Sequence, residues 1–328
     1  VEKAEQGKSN EINTCIGCNQ ACLDHVFNGK MTSCLVNPKA CHEAEFETSP
    51  TDTPKKLAVV GAGPAGLAFA TSAAERGHQV TLFDSSNEVG GQFNIAKQIP
   101  GKEEFYETIR YFAQLLEKTG VNVVLGKRVT KSDLNSDDFD EVILATGISP
   151  RTPEIDGVDH PKVLSYLDVL RDKVEVGKKV AVIGAGGIGF DVSEYLAHQG
   201  VATSQNIEAF MKEWGVDMTL TARGGIEGVE AEVTPSAREI YLLQRKKSKV
   251  GGKLGKTTGW IHRAGLINKG INMIPACSYE KIDDQGLHLD IAGEKKVLDV
   301  DNIIMCAGQE PLRELVDGLN KPVHLIGG

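Results

Sequence analysis

No run of about 18 apolar residues occurs in this 328-residue sequence, so it offers no candidate for a membrane-spanning helix. The opening residues, Val1 to Gln6, hold no apolar segment of the kind a secretory signal needs. Basic residues are in deficit: 36 Lys and Arg against 45 Asp and Glu, a formal charge of -9. That balance argues against a nucleic-acid partner, because phosphate binding wants a basic face. Cysteine is scarce over most of the chain, with only Cys277 and Cys306 after Cys41. Those two lie far apart in sequence, and no Cys-x-x-Cys stands beside either glycine motif described below, so a dithiol of the thioredoxin-reductase kind is not expected.

Glycine, by contrast, is abundant at 36 residues without a collagen-like period, which points to tight turns and close backbone approach to ligands. Hydrophobic residues at 41% and charged residues at 25% give an ordinary globular balance. The length favours two or three domains. Five of the seven cysteines are bunched between Cys15 and Cys41. A disulfide framework suits a small secreted chain rather than one end of a larger one. Metal or cluster binding in a reducing, cytoplasmic compartment fits the bunching better.

Along the chain, residues 1–50 show little periodicity and read as an irregular, cluster-binding segment, followed by a linker at Ser49–Pro54. Strands are predicted at Lys56–Val60 and Gln79–Phe83, with a Gly-rich turn and an apolar helix between them, a βαβ start. A helix is predicted over Glu103–Thr119 from the stripe Phe105, Ile109, Phe112, Leu115 and Leu116, and a strand at Glu141–Leu144. The same pattern restarts at Lys179–Ile183, but its partner strand, Glu239–Leu243, is delayed by an apparent insertion over about 200–236. A hairpin is predicted from Leu287–Ile291 and Val297–Val300, then strands at Ile303–Cys306 and Val323–Ile326. The fold class expected is α/β, with two nested Rossmann-like domains. The first spans 51–150 plus 300–328, and the second spans 151–299.

The first glycine motif is Gly61-Ala62-Gly63-Pro64-Ala65-Gly66. Gly61 permits the tight turn, Gly63 lets the backbone approach a pyrophosphate, and Gly66 lets helix and strand pack closely. Asp84 closes the second strand, where a carboxylate can bond ribose hydroxyls, and Gly90-Gly91 just beyond it lets chain run close to a cofactor. A plain Gly-rich loop would leave Asp84 unexplained. The second motif is Gly184-Ala185-Gly186-Gly187-Ile188-Gly189, and its delayed strand ends in Arg245-Lys246-Lys247 with no acid. A 2′-phosphate repels a carboxylate and attracts cations, so Arg245 and Lys246 favour NADP(H) over NAD(H); the bland alternative is a solvated basic loop. Asp191 is expected on the first turn of the following helix, in a helix-dipole role.

Cys15, Cys18, Cys22 and Cys34 have two, three and eleven residues between them. Four thiolates at short spacings suit an iron–sulfur cube, with all-cysteine zinc as the rival. Cys41 reads as a packed or nearby thiol, and His25 and His42 as hydrogen-bonding neighbours. Trp214 and Trp260 read as packing residues rather than flavin stackers.

Several stretches resemble the bacterial NADPH-dependent 2,4-dienoyl-CoA reductase family along the whole chain. They are Asn13–Cys22, Cys34–Pro38, Cys41–Glu43, Val60–Ala70, Gly90–Lys102 and Lys256–Arg263. The resemblance implies a [4Fe–4S] cluster on Cys15, Cys18, Cys22 and Cys34. It implies FAD at the first motif, lined by Ala65, Asp84, Gln92, Lys102 and Val129 and approached by Gly91. It implies NADPH at the second, with Arg245 and Lys246 on the 2′-phosphate. In that family electrons pass from NADPH through FAD and the cluster to an FMN in an N-terminal barrel, which reduces the dienoyl-CoA. Barrel, FMN and substrate site are missing here, and the chain stops at Gly327-Gly328 where the family continues, so it is expected to be a C-terminal piece with no acid–base residue of its own. Rival readings are the reductase portion of a trimethylamine dehydrogenase-like or glutamate synthase small-subunit-like flavoprotein and, in another class, a non-enzymatic redox sensor.

Overall fold

The computed structural model describes every residue except Glu47, Gly225 and Gly328. The chain divides into two compact units. Unit 1 holds Val1–Lys97, Glu103–Ser149 and Gln309–Gly328; unit 2 holds Gln98–Lys102 and Pro150–Gly308. In chain order the strands are β1 (Lys56–Val60), β2 (Gln79–Phe83), β3 (Asn122–Val124), β4 (Glu141–Leu144), β5 (Ile148–Pro150), β6 (Val163–Ser165), β7 (Lys179–Ile183), β8 (Glu239–Leu243), β9 (Asn272–Ile274), β10 (Cys277–Asp283), β11 (Gly286–Ile291), β12 (Glu294–Leu298), β13 (Asn302–Met305), β14 (Gln309–Pro311) and β15 (Val323–Leu325). No helix among the described residues is long and apolar enough to cross a membrane.

Unit 1 is built on a parallel sheet ordered β15-β4-β1-β2-β3. Parallel strands are covered on both faces and so read as unbroken apolar runs. Leu57, Ala58, Val59 and Val60 are all buried accordingly, and β1 pairs in register with β2 and β4. The Pro64–Glu75 helix starts with Pro at its first position, where the missing N–H costs nothing, and buries Gly66, Leu67, Ala70 and Ala73. The Phe105–Thr119 helix ends at Gly120, whose φ of 73° is the left-handed stop that glycine suits. The first fifty residues have only short helical turns and are tied to this helix. Arg110 donates to the carbonyls of Asn10 and Ile12, and Lys118 pairs with Glu11.

Unit 2 repeats the plan with a parallel sheet ordered β6-β13-β7-β8-β9 and adds an antiparallel sheet ordered β10-β11-β12. The expected hairpin is therefore a three-stranded meander. Its first strand carries an irregularity between Tyr279 and Lys281, which breaks the period-two pattern that marks a strand in sequence. The expected return to the first domain near residue 300 is corrected as well. β13 pairs with β6 and β7, so the chain rejoins unit 1 only at Gln309. The five residues Gln98–Lys102 also group with unit 2. The insertion ahead of β8 contains a helix, Ile207–Glu213, capped by the Asn206 side chain on the Ala209 N–H. Trp214 stacks near Phe210 there, at 6.2 Å between ring centroids, whereas Trp260 is exposed rather than packed.

Candidate dinucleotide sites

In unit 1 the chain leaves β1 through Gly61, which has φ of 108°. A Cβ on Gly61 would collide with the Ala145 carbonyl, and one on Gly66 with the Gly61 carbonyl. These glycines let strand, turn and helix close on one another. Gly91, at φ 52°, runs against Gly63, where a Cβ would come 2.8 Å from the Gly63 Cα. The turn therefore presents bare backbone and the first N–H groups of the Pro64–Glu75 helix, a combination that suits a pyrophosphate.

Asp84 follows β2, and both of its oxygens are already engaged. Oδ2 accepts from the Ala62 N–H at 2.6 Å and Oδ1 from the Ser86 N–H at 2.7 Å. These bonds fix the carboxylate while each oxygen keeps a second lone pair for a ligand hydroxyl. Asp84 and Val129 line one cavity together with Ser85, Lys127, Arg128 and Thr146. Its volume is about 160 Å³, below the ~300–1,000 Å³ usual for a whole small-molecule site, so it has room for only part of a dinucleotide. Ala65 sits in the first helical turn, and the backbone at Gly327 passes close to it, where a Cβ would come 2.8 Å from the Ala65 Cβ. Sequence reasoning missed Gly327, whose φ is 73°; its place just after a strand was the available signal. Gln92 is exposed at the start of a short turn of helix, Phe93–Ala96.

Lys102, which the resemblance implies as FAD-lining, is engaged by a carboxylate in this structure. It belongs to unit 2, and its Nζ lies 2.7 Å from both carboxylate oxygens of Asp191. Asp191 is correspondingly the fifth residue of the Gly187–Ala197 helix, beyond its first turn, so a partner ammonium replaces the expected helix-dipole role. His262 lines the small cavity around this pair, and burial, then the nearby Lys102 charge, pushes its pKa below the usual histidine value.

The second glycine turn copies the first. Gly184 has φ of 112° and faces the Cys306 carbonyl, and a Cβ on Gly189 would meet the Gly184 carbonyl. At Gly186 and Gly187, no atom lies within 4 Å of where a Cβ would be, which leaves an open path over the helix N-terminus. The end of β8 lies beside this turn, since the Gly184 N–H bonds the Leu243 carbonyl. Arg245 and Lys246 follow, both exposed. The Gln244 side-chain amide organises the loop by donating to the Lys246 and Ser248 carbonyls at 3.0 and 2.7 Å.

The cysteine segment gives a different result. Cys15 is exposed, Cys18, Cys22 and Cys34 are partly exposed, and all are free thiols. Among the described residues, no three Cys, His, Asp or Glu side chains are grouped to hold a metal ion. The four thiols are thus not gathered into such a group in this structure. His25 and His42 bond Met31 and Glu45. Cys277 and Cys306 are buried, and burial pushes both thiols up in pKa.

The model of the pyridine nucleotide-disulphide oxidoreductase family matches residues 55–325. A metal reductase from Desulforamulus reducens is 32% identical over 99% of this chain and 48% of its own length. An NADH oxidase from Thermoanaerobacter brockii is 34% identical over 89% of this chain and 46% of its own. Among solved structures, a 2-naphthoyl-CoA reductase in complex with 2-naphthoyl-CoA superposes with a TM-score of 0.84 at 27% identity, covering 99% of this chain and 45% of that one. The chain thus spans about half the length of the curated relatives it matches.

Proposed function

The chain belongs to the pyridine nucleotide-disulphide oxidoreductase family, and from that premise we propose that it is the FAD- and NADPH-binding portion of a longer reductase, one that reduces 2,4-dienoyl-CoA. The observation that carries this reading is the pair of glycine turns of like construction. One is followed by a fixed carboxylate, Asp84, and the other by the acid-free run Arg245-Lys246-Lys247. A carboxylate at the strand end suits the unphosphorylated ribose of FAD, and cations suit the 2′-phosphate of NADPH.

The flavin, when bound, accepts a hydride and passes electrons on to one-electron carriers. The chain's own residues do the positioning. The backbone around Gly61, Gly63 and Gly91 and the helix N-terminus hold the FAD pyrophosphate, with Ala65 and Gln92 flanking it, and Asp84 orients the ribose beside Val129. The turn at Gly184, Gly186 and Gly189 does the same for the nicotinamide nucleotide, with Arg245 and Lys246 on its phosphate. No residue here is assigned an acid–base step.

The acceptor rests on the sequence resemblance, and the similarity to a reductase solved with another CoA thioester supports it. For Cys15, Cys18, Cys22 and Cys34 the iron–sulfur reading rests on spacing and resemblance alone. No electron step is assigned through them.

The test is anaerobic reduction of the FAD-loaded chain by NADPH and by NADH, followed at the flavin absorbance. Bleaching by NADPH well ahead of NADH is the expected result. Equal rates would remove the 2′-phosphate role of Arg245 and Lys246, and no bleaching by either would overturn the flavin assignment.

A further inference from the structure

Gln244 stands in the second site where Asp84 stands in the first, backbone bond for backbone bond. In both, the N–H of the first glycine meets the last carbonyl of the following strand, Gly61 to Phe83 at 2.8 Å and Gly184 to Leu243 at 3.1 Å. The next residue donates to the neighbouring strand, Asp84 to the Val124 carbonyl at 3.0 Å and Gln244 to the Ile274 carbonyl at 2.9 Å. The carbonyl of that residue accepts from the chain beyond the neighbouring strand, from the Lys127 N–H at 2.9 Å and from the Cys277 N–H at 3.0 Å. The side chains, however, do opposite things. Asp84 reaches the glycine turn through the Ala62 N–H. Gln244 turns to its own loop and donates to the Lys246 and Ser248 carbonyls at 3.0 and 2.7 Å. Only an NH2 group can meet two carbonyls, so the amide has one possible orientation and both of its hydrogens are engaged. Correspondingly, the N–H of Ala185, the counterpart of Ala62, has no acceptor among the described residues.

The arrangement suits a phosphorylated ribose on two counts. No carboxylate stands at the strand end, so a 2′-phosphate meets no repulsion there, and the turn keeps an open N–H for a ligand oxygen. The loop that carries Arg245 and Lys246 is also held in shape from within, and the Lys246 carbonyl is fixed further by the Ala276 N–H at 3.1 Å. We infer that Gln244 is a specificity-determining residue of the second dinucleotide site. Its amide fixes the loop that bears the cations, and its neutrality keeps the strand end open to a 2′-phosphate. This inference rests on the reading of that site as one for NADPH.

Binding of 2′,5′-ADP and of 5′-AMP to the full 328-residue chain, measured by calorimetry, tests the inference without flavin or turnover. The wild type should prefer 2′,5′-ADP. Gln244→Asp supplies the carboxylate of the first site. It should weaken 2′,5′-ADP by about tenfold or more, the scale of one like-charge contact near a protein surface, and tighten 5′-AMP through its ribose hydroxyls. Gln244→Ala removes the loop bonds without adding charge, and should weaken 2′,5′-ADP by about threefold, the scale of one neutral hydrogen bond, with 5′-AMP unchanged. The gain for 5′-AMP in the aspartate variant is the part that a merely structural role would not produce. If the wild type discriminates and both variants discriminate equally well, the inference falls while the NADPH reading stands. Equal losses of both ligands in Gln244→Asp would reduce Gln244 to a structural residue and overturn the inference. Should that variant not fold, unchanged discrimination in Gln244→Ala overturns it alone. A wild type blind to the 2′-phosphate would overturn both the inference and the NADPH reading.

Discussion

Lys102 and Asp191 are joined through both carboxylate oxygens, each 2.7 Å from the ammonium, across 89 positions of sequence. Both side chains are about three-quarters covered, so the pair is shielded from solvent more than a surface ion pair. The bond clips the Ile99–Lys102 segment to the second nucleotide helix. Lys102→Met leaves Asp191 half-buried and unpaired, and should cost about 1–3 kcal/mol, the penalty for stranding a hydrogen-bonded charge. Asp191→Asn should cost less, since it removes the charge but keeps an acceptor. Urea melts of both single variants and the double variant check this. The double variant should be clearly less destabilised than the sum of the two, and strict additivity would show that the contact contributes nothing.

The two glycine turns allow packing to be separated from ligand approach. Gly66→Ala and Gly189→Ala drive a Cβ into the Gly61 and Gly184 carbonyls, and backbone cannot step aside as a side chain tip can. Each should lose about 1–3 kcal/mol of stability, the usual cost of overpacking. Gly186→Ala meets no protein atom within 4 Å, so its melting temperature should match the wild type while nucleotide binding falls. A melting temperature lowered as far as that of Gly189→Ala would mean that the space over Gly186 is not the ligand's path.

The parallel strands were the most legible part of the sequence. The runs at Lys56–Val60, Gln79–Phe83, Glu141–Leu144, Lys179–Ile183 and Glu239–Leu243 are strands with those same ends. Burial on both faces demands unbroken apolar runs, and the glycine turns punctuate them. Pairing over distance was not legible. Ile303 and its neighbours are apolar in either sheet, so only the observed register, Ile303 beside Ala181 and Val163, decides which unit they complete. The place of the Asp84 carboxylate at the strand end was visible in the sequence, but its bonds to Ala62 and Ser86 were not, because they depend on backbone direction rather than residue type. The Lys102–Asp191 pair was not legible either, since 89 positions of sequence separate its partners.

Asp217 should make the segment around it acid-sensitive. Its carboxylate accepts from the hydroxyls and N–H groups of Thr219 and Thr221 and from the Ala222 N–H. The Thr219 hydroxyl, then the Ala222 and Thr219 N–H groups, hold its pKa well below the ordinary 3.8. A carboxylate depressed in the folded state stabilises that state fully above its unfolded pKa, and the contribution is lost as pH falls through the folded value. Amide exchange at residues 217–222, corrected for intrinsic rates, should be constant from pH 7 to about 5 and should rise once the pH drops below about 4. Asp217→Asn should exchange faster already at pH 7 and show little further change on acidification. An acid response that survives in the variant would place the sensitivity elsewhere.

The seven thiols should separate by reactivity, because the thiolate is the reacting form and both burial and a raised pKa suppress it. Cys277 and Cys306 are buried with their pKa values pushed up, so at pH 7 an alkylating reagent should leave them intact until the chain unfolds. Cys15 and Cys41 are exposed and should label first, with Cys18, Cys22 and Cys34 slower in proportion to their partial cover. Mass spectrometry of the labelled chain reads each site separately, so the same experiment addresses the proposed cluster. After anaerobic incubation with ferrous iron and sulfide, Cys15, Cys18, Cys22 and Cys34 should become protected while Cys41 stays reactive. Protection of Cys41 in place of one of the four would change the ligand set. Equal protection by zinc without sulfide would favour the zinc alternative, and five unchanged labelling rates would show that this segment holds no metal in the chain as it stands.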